Sequence, residues 1–196
     1  MKRLFDVAAV ILSAPITLLL AASVAIALGV ELRGNPFFLQ ERVGLHGRPF
    51  TMFKLRTMRH ATAAEQPCYR VDDWDTYVFS PPDRPDPRIT RIGAFARKTS
   101  LDELPNLLNV LLGQMSLVGP RPEIPAIVDQ YPPEFRRRHD VLPGIAGLAQ
   151  IEGRSDLAYA EVMKYDLAYV DDHSFLGDLK ILARTFAVVV KGSGAR

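Results

Sequence analysis

The sequence predicts an α+β fold that is mainly helical, with an apolar helix at its N-terminus and a small β-hairpin after it. Three observations support this prediction. No charged residue lies between Val7 and Val30, residues 37–58 alternate loosely between apolar and polar side chains, and apolar residues recur at helical spacing in several later segments. The length of 196 residues suits one compact domain together with an anchor segment.

The uncharged N-terminal stretch is long enough to reach across a membrane. Its 24 residues would form a helix of roughly 36 Å, whereas the hydrocarbon core of a bilayer is roughly 30 Å thick. Three interpretations compete: a cleaved signal peptide with a site at Ala25-Ile26-Ala27, a transmembrane helix, and a re-entrant helix that dips into the bilayer and returns. The stretch is long for a signal peptide, which disfavours the first interpretation.

Pro15 and the flanking charges bear on the other two interpretations. A proline inside a helix removes one backbone donor, so we expect a bend near residues 11–15. Basic residues prefer the cytoplasmic side of a membrane, and they flank the stretch at both ends, at Lys2 and Arg3 and again from Arg33 to Arg59. A straight span would place one basic cluster outside, whereas a re-entrant helix keeps both inside. The residues alone leave both topologies open.

The remaining chain, residues 34–196, carries several further elements. Gly34-Asn35-Pro36 marks a break, and a hairpin with strands at 37–43 and 50–56 is predicted. Residues 60–88 are polar and rich in proline, which predicts a long irregular loop that holds Cys68 and Trp74. Helices are predicted at 104–112, 124–131, 156–169 and 178–191. The last is amphipathic with basic residues on its polar side, which suits core packing and a place in the membrane interface equally.

Composition excludes several classes of protein. A single cysteine, Cys68, leaves no internal disulfide and no cysteine-based zinc site. The net charge of +2 is too small for a general polyanion binder, so we expect no nucleic-acid partner. The motifs of common ATP and dinucleotide sites, such as G-x-G-x-x-G, do not occur in the sequence.

Adjacent carboxylates at Asp102 and Glu103 stand where a helix is expected to begin. Two interpretations are open. Ser100 and Glu103 fit a capping box, and acidic residues are common in a first turn because they complement the helix dipole. Pro105 favours a start near Leu101 or Asp102, which weakens the Ser100 cap. Asp102 would then lie at the positive helix end, where an ionised carboxylate is a possible nucleophile and Glu103 a possible general base.

Groups suited to phosphate surround this pair in the sequence. Arg121 lies between Pro120 and Pro122, and rigid flanks reduce the entropy that a guanidinium loses when it clamps an oxyanion. A glycine-rich segment at 143–150 is followed by Gly153-Arg154, and glycine permits close backbone approach to a ligand. Each of these signals is weak when it is taken alone, since a surface turn explains it equally well.

Taken together, these motifs resemble one family. The chain resembles the bacterial sugar transferases, which are monotopic polyprenyl-phosphate phosphoglycosyl transferases. The resemblance runs over nearly the whole chain. Its motifs are Lys2-Arg3-Leu4-Phe5-Asp6, Gln40-Glu41-Arg42-Val43-Gly44, Phe53-Lys54-Leu55-Arg56-Thr57-Met58, Asp86-Pro87-Arg88-Ile89-Thr90-Arg91, Leu101-Asp102-Glu103-Leu104-Pro105, Ser116-Leu117-Val118-Gly119-Pro120-Arg121-Pro122 and Pro143-Gly144-Ile145.

The resemblance implies a reaction. A sugar 1-phosphate moves from a UDP-sugar donor to undecaprenyl phosphate, UMP leaves, and a polyprenyl diphosphate sugar forms as the first membrane step of a bacterial glycan pathway. The family forms a covalent phosphosugar intermediate on the aspartate of the pair, here Asp102. Glu103 takes the partner role, and a Mg²⁺ ion near Asp102 offsets the charge of the diphosphate.

The resemblance also implies a set of binding residues. The candidate phosphate or substrate contacts are Lys54, Arg56, Arg97, Arg121 and Arg154. The candidate nucleotide loop holds Pro143, Gly144, Gly147 and Gln150. Ala146 and Ala149 stand where the family commonly has threonine and an aromatic residue, so the contacts of this loop are expected to differ here.

The family's architecture completes the expectation. Residues 1–33 are expected to form a re-entrant anchor, and residues 34–196 a catalytic domain with amphipathic interfacial helices at the cytoplasmic face of the bacterial inner membrane. The chain resembles the minimal, single-domain form of the family. Membrane lipid is an expected partner, and self-association stays open. The alternatives are a non-catalytic, membrane-anchored module that binds phospholipids and a secreted hydrolase with a cleaved signal.

Overall fold

The computed structural model describes residues 1–65, 69–78, 86–153 and 157–191. Its described part is mainly helical, with two small two-stranded sheets, which confirms the predicted α+β class. The helices are α1 (Lys2–Leu32), α2 (Arg91–Lys98), α3 (Asn106–Leu111), α4 (Pro125–Val128), α5 (Leu148–Glu152), α6 (Tyr159–Asp172) and α7 (Phe175–Lys191). The strands are β1 (Phe37–Val43), β2 (Pro49–Leu55), β3 (Ser116–Val118) and β4 (Gly144–Ala146).

The long apolar helix α1 has buried residues near both of its ends and none in its middle. Asp6 and Val10 are buried near its start, and Ala25 and Leu28 near its end. Between them lies a run of exposed large apolar side chains, namely Ile11, Leu12, Ile16, Leu18, Leu19 and Leu20. Among the described residues, α1 is the one helix long and apolar enough to cross a membrane. It continues through Pro15 without interruption, and the predicted bend stays a prediction.

Both ends of α1 are bound to the rest of the molecule by polar contacts. At the start, Lys2 Nζ donates to Asp178 Oδ2 of α7 at 2.5 Å, and the Ser116 hydroxyl of β3 donates to Asp6 Oδ2 at 2.8 Å. At the other end, the Glu31 carboxylate accepts from the backbone N–H of Ile92 at 3.1 Å, at the start of α2. Both ends of the helix therefore contact the folded part of the chain.

The hairpin confirms its prediction almost residue for residue. Strands β1 and β2 pair antiparallel from Phe37 opposite Leu55 to Val43 opposite Pro49. The second strand starts and ends one residue earlier than predicted. The second sheet, in which β3 and β4 run parallel with Ser116 opposite Gly144, was not predicted from the sequence. Two three-residue strands are too short for an alternating pattern to reveal them.

The predicted helices exist, with shifted ends. The segment 104–112 becomes α3 behind a short 3₁₀ turn at Leu101–Glu103, the segment 124–131 shortens to α4, 156–169 becomes α6, and 178–191 begins earlier as α7. In α3 the polar side faces inward, where Asn106 and Asn109 are buried, while Leu108, Leu111 and Leu112 are 42–57% exposed. Asn109 explains this orientation, because its amide bonds the backbone of β2 at Thr51 and Phe53.

The part of the proline-rich segment that the structure describes is not wholly irregular. Trp74 packs in the core, where its ring lies 5.1 Å from Tyr159, 5.6 Å from Tyr131 and 5.5 Å from Phe135, centroid to centroid. This aromatic contact surface anchors residues 69–78 against α4 and α6. Trp74 therefore has a packing role. Cys68 lies outside the described residues.

Candidate active site

A tight turn lies between α2 and the carboxylate pair. Ser100 adopts a left-handed backbone conformation with φ of 56°, and the 3₁₀ turn Leu101–Glu103 follows it. The predicted capping box does not form, since the Ser100 side chain makes no capping hydrogen bond. The Glu103 side chain instead turns toward two cations on other elements. The capping interpretation is therefore wrong, and the acidic pair is free for another role.

Glu103 is held by two cations through a single oxygen. Its Oε1 accepts from Lys54 Nζ of β2 at 2.8 Å and from Arg121 Nη2 at 2.8 Å. The Glu103 side chain is 15% exposed and that of Lys54 is 11% exposed, so this ion pair is shielded from solvent. The Arg121 side chain is 40% exposed, so the second ion pair is partly open to solvent. The hairpin, the 3₁₀ turn and the Pro-Arg-Pro segment thus meet at one point.

The pKa values of the two neighbouring carboxyls shift in opposite directions. Burial alone would raise the pKa of Glu103, but the charges of Arg121 and Lys54 and their hydrogen bonds outweigh it and hold that pKa far below its usual range. Burial and the nearby charge of Glu103 raise the pKa of Asp102 to about 6, although Lys54, Arg97 and Arg121 oppose the rise. The sequence predicted a position at the positive helix end, which favours the ionised form of Asp102, whereas desolvation prevails in the structure.

Asp102 is the less engaged member of the pair. Within the described part of the chain, its carboxylate accepts no hydrogen bond, whereas Glu103 accepts two. A pKa of about 6 still leaves most of the Asp102 carboxyl ionised at neutral pH. Asp102 is therefore an ionised carboxylate without a hydrogen-bond partner among the described residues, and the charges of Lys54, Arg97 and Arg121 act on it.

The predicted nucleotide loop packs tightly against the segment that carries Arg121. The Gly144 N–H donates to Pro120 O at 2.9 Å, and a Cβ at Gly144 would lie 2.0 Å from the Gly119 nitrogen. Pro143 O accepts from the Ser116 N–H at 2.8 Å. A Cβ at Gly147 would lie 2.7 Å from Gly119 O, so both glycines allow two backbones to approach. Contact of this loop with a nucleotide stays a prediction.

The other predicted phosphate contacts fall into three cases. Arg97 belongs to the site by its charge, which acts on Asp102, and its guanidinium lies 3.7 Å from the Met58 sulfur. Arg56 points elsewhere, because its guanidinium binds the Asn35 carbonyl and lies 2.5 Å from His60 Nε2. Arg154 lies outside the described residues. Gln150 donates to Ile145 O at 3.2 Å.

A divalent cation at this site would depend on the substrate for most of its ligands. In the described part of the chain, no group of three or more histidine, cysteine and acidic side chains stands together as a metal site. Mg²⁺ is commonly held by one or two carboxylates with substrate phosphates and water. Asp102 supplies one such carboxylate, while Glu103 is engaged by Lys54 and Arg121. The residues therefore fit a Mg²⁺ ion that arrives with a diphosphate.

Two buried arginines at the site were not predicted from the sequence. Arg42 of β1 donates to Pro122 O at 2.9 Å, and Arg138 donates to Arg121 O at 2.7 Å. Arg138 stands in a run of three arginines that resembles a solvated surface. Nothing in a basic run indicates which member turns inward, so no local signal could have separated Arg138 from its neighbours.

Comparisons with known proteins find similarity along almost the whole chain. A family model described as "Bacterial sugar transferase" matches residues 1–192. The chain is 43% identical over 199 residues to "Uncharacterized sugar transferase EpsL" of Bacillus subtilis, with 99% of this chain and 89% of that protein aligned. It is 41% identical to "UDP-glucose:undecaprenyl-phosphate glucose-1-phosphate transferase" of Caulobacter vibrioides, with 94% and 67% aligned.

Other relatives are longer than this chain. The chain is 36% identical to "Undecaprenyl-phosphate galactose phosphotransferase" of Salmonella typhimurium, where the alignment covers 100% of this chain but 41% of the relative. It likewise spans less than half of "Galactosyl transferase CpsE" of Streptococcus agalactiae, 43% of that protein's length.

Proposed function

This chain belongs to the bacterial sugar transferase family, and on that premise we propose that it transfers a sugar 1-phosphate from a UDP-sugar to undecaprenyl phosphate. The products are UMP and an undecaprenyl diphosphate sugar. Family membership confirms the resemblance inferred from the motifs, and with it the predicted class of enzyme, a transferase. The printed names of the Caulobacter and Salmonella relatives support this donor and this acceptor.

One observation carries the proposal: an unclamped carboxylate lies among cations beside a membrane helix. Helix α1 contacts the 3₁₀ turn that holds Asp102, and α3, which follows the turn, exposes three leucines. A lipid-linked phosphate has its charged group at the headgroup level and its chain in the hydrocarbon. A site for such an acceptor must lie next to the bilayer, and this position of Asp102 suits that requirement.

In the first step the Asp102 carboxylate oxygen attacks the phosphorus that bears the sugar. A P–O bond forms to Asp102 and the P–O bond to UMP breaks, so UMP leaves with the bonding electron pair. Asp102 suits this role because it is ionised near neutral pH and accepts no hydrogen bond from the described residues. Lys54, Arg97 and Arg121 supply positive charge next to the phosphate oxygens.

In the second step an oxygen of undecaprenyl phosphate attacks the phosphorus held on Asp102. The new diphosphate P–O bond forms, the bond to Asp102 breaks, and the free carboxylate returns. The low pKa of Glu103 makes it a poor proton acceptor, so we assign it the holding of Lys54 and Arg121 rather than general base catalysis. The acceptor needs no base, because a phosphate monoester carries most of its second charge at neutral pH.

The proposal includes a Mg²⁺ ion that binds together with the diphosphate of the donor. Asp102 would hold the ion together with the diphosphate oxygens, and the ion would offset their negative charge. The cations Lys54 and Arg121 remain on Glu103 and compensate a different part of the charge. Chelation of the ion is expected to stop transfer without unfolding the protein.

The proposed location is the cytoplasmic face of the bacterial inner membrane, with α1 re-entrant. The polar contacts at Lys2, Asp6 and Glu31 bind both ends of α1 to the same folded part of the chain. The exposed apolar middle between them suits the hydrocarbon of one leaflet. UDP-sugars are cytoplasmic, so the domain that binds them is expected on that side.

Trapping of the covalent intermediate tests the proposal. The purified protein is mixed with UDP-sugar labelled at the β-phosphorus and Mg²⁺ without acceptor, quenched in acid, digested and analysed by mass spectrometry. We expect the label on Asp102 and a stoichiometric burst of UMP. Asp102→Asn is expected to lose label, burst and transfer, while Asp129→Asn, an exposed aspartate, serves as the matched control. Full product formation by Asp102→Asn would contradict the proposal.

A further inference from the structure

The Pro-Arg-Pro segment that carries Arg121 has an unusual backbone. Proline has no N–H, so among residues 120–122 only Arg121 has a backbone donor. Such a segment cannot be held by a ladder of backbone hydrogen bonds in which it donates. Its position has to be set through its carbonyl oxygens.

Three different elements bind the three successive carbonyls. Pro120 O accepts from the Gly144 N–H of β4 at 2.9 Å. Arg121 O accepts from Arg138 Nη2 at 2.7 Å, and Pro122 O accepts from Arg42 Nη1 at 2.9 Å. Two of the three donors are thus side chains of buried arginines rather than backbone groups.

Arg138 is enclosed and fully engaged. It is 3% exposed, and its Nη2 donates to Asp166 Oδ2 of α6 at 2.5 Å as well as to Arg121 O. Its Nη1 donates to the hydroxyls of Tyr131 at 2.5 Å and Tyr159 at 3.1 Å. One guanidinium therefore ties the backbone of Arg121 to a helix and to two core tyrosines.

Arg42 repeats this arrangement on the other side of the segment. It is 9% exposed, donates to Gln40 Oε1 at 2.7 Å, and lies 3.4 Å from Glu123 Oε2. The residue after it, Val43, donates its N–H to Glu123 O at 2.9 Å. The hairpin therefore binds the backbone carbonyls of residues 122 and 123 through hydrogen bonds.

Buried ion pairs of this kind add little stability compared with well-packed apolar residues, because desolvation offsets most of the attraction. Their planar, multiply bonded geometry does define position. Since the segment they bind carries the guanidinium that meets Glu103, their geometric effect falls on the site. Resting on the proposed function, we propose that Arg42 and Arg138 are positioning residues that hold the Pro-Arg-Pro carbonyls and so place Arg121 on Glu103 and on the substrate phosphate.

The test uses lysine substitutions and matched controls in the purified full-length chain. Arg42→Lys and Arg138→Lys keep the buried charge, but one ammonium cannot bind the carbonyl and the other partners in the same fork geometry. Gln40→Met and Tyr131→Phe each remove another hydrogen bond of the same arginine and leave its bond to the carbonyl. Arg42→Lys serves as an independent second test if Arg138→Lys does not fold.

A displaced Arg121 should lower the rate of transfer by more than the loss of stability explains. Because Arg121 is proposed to bind the substrate phosphate, we expect both lysine variants to lower kcat/KM by about tenfold to a hundredfold. The two controls should lower the melting temperature and leave kcat/KM within about twofold of the wild-type value.

Arg121→Ala closes the test as a double-mutant cycle. If the arginines act through Arg121, each lysine substitution should change kcat/KM by less than about twofold in the Arg121→Ala background. Equal losses in both backgrounds, or an unchanged kcat/KM in both lysine variants, would overturn the positioning role. Failure of the proposed function has a separate signature, since Asp102→Asn would then still form product.

Discussion

Asp102 and Glu103 are adjacent in the chain, yet they lie in opposite electrostatic environments. Glu103 gives one oxygen to Lys54 and Arg121 and stays ionised throughout the physiological range. Asp102 is partly buried next to that charge and receives no comparable hydrogen bond from the described residues, which raises its pKa to about 6. One residue holds the cations, and the other stays available to form a bond. The two roles differ because Glu103 accepts hydrogen bonds from Lys54 and Arg121, whereas Asp102 accepts none from the described residues.

At this scale we predict that loss of the Asp102 charge stabilises the fold. Because its folded pKa of about 6 lies above its usual value, the folded state favours the protonated form, and ionisation at higher pH destabilises it. Asp102→Asn should therefore raise the free energy of unfolding at pH 7.5 by roughly 1–2 kcal/mol after allowance for partial exposure, and its melting temperature should exceed that of the wild type.

Thermal unfolding in detergent at pH 7.5 and pH 5 measures this effect. The gain should shrink at pH 5, where the wild-type carboxyl is largely protonated. Asp129→Asn at the protein surface should leave the melting temperature unchanged. A lower melting temperature for Asp102→Asn at pH 7.5 would show that the carboxylate is stabilised by contacts rather than strained by burial.

Among the strands and turns, glycines let two backbone segments come into contact. Strand β4 lies so close to Gly119 that a Cβ at Gly144 would stand 2.0 Å from the Gly119 nitrogen and 2.6 Å from its oxygen. Both atoms belong to the backbone and cannot rotate away. This contact puts the end of β3 beside β4 and directs the Pro-Arg-Pro segment toward the 3₁₀ turn. The small parallel sheet therefore sets the direction that the chain takes from the end of β3 to Arg121.

We predict that Gly144→Ala destabilises the protein by at least about 2 kcal/mol, since overpacking at a rigid contact forces the backbone to move. Gly29→Ala is the control, because the nearest atom to its added Cβ is 3.6 Å away, which is ordinary contact. Denaturant unfolding followed by tryptophan fluorescence of Trp74 measures both. Equal stability of the two variants would show that β4 can withdraw from Gly119 without cost.

Over the whole molecule, α1 contacts the folded part of the chain at both of its ends and at the 3₁₀ turn that holds Asp102. The ends of α1 reach α7, β3 and α2 through Lys2, Asp6 and Glu31. The apolar middle of α1 and the exposed leucines of α3 face away from the core. Apolar surface of this extent needs a partner, and a bilayer supplies one without a second protein. The arrangement suits an enzyme whose acceptor stays in the membrane.

For the molecule as a whole we predict that both ends of α1 lie on one side of the membrane. Leu4→Cys and Asn35→Cys, each made in a Cys68→Ser background, are treated with a membrane-impermeant maleimide in spheroplasts and in inside-out vesicles. Both positions should react in inside-out vesicles alone. Reaction of one position in spheroplasts and the other in vesicles would establish a straight span and exclude the re-entrant topology.

Much of this protein follows from local sequence. The apolar stretch of α1, the hairpin at 37–55 and the helical segments could be predicted because each depends on a pattern within a few neighbouring residues. The acidic pair and Arg121 could be chosen as site residues because their side chains suit phosphate chemistry. The bounds were least accurate where ends depend on packing, as in α4 and at the start of α7.

The division of roles within the site came from tertiary contacts. The amino-acid sequence by itself determined the elements, the acidic pair and the family. Only the tertiary structure decided that Glu103 binds Lys54, 49 positions away, that burial prevails over the cations at Asp102, and that Arg42 and Arg138 hold the Pro-Arg-Pro carbonyls. The physical reason is that pKa and position depend on which distant groups share a buried space, and no local pattern encodes that.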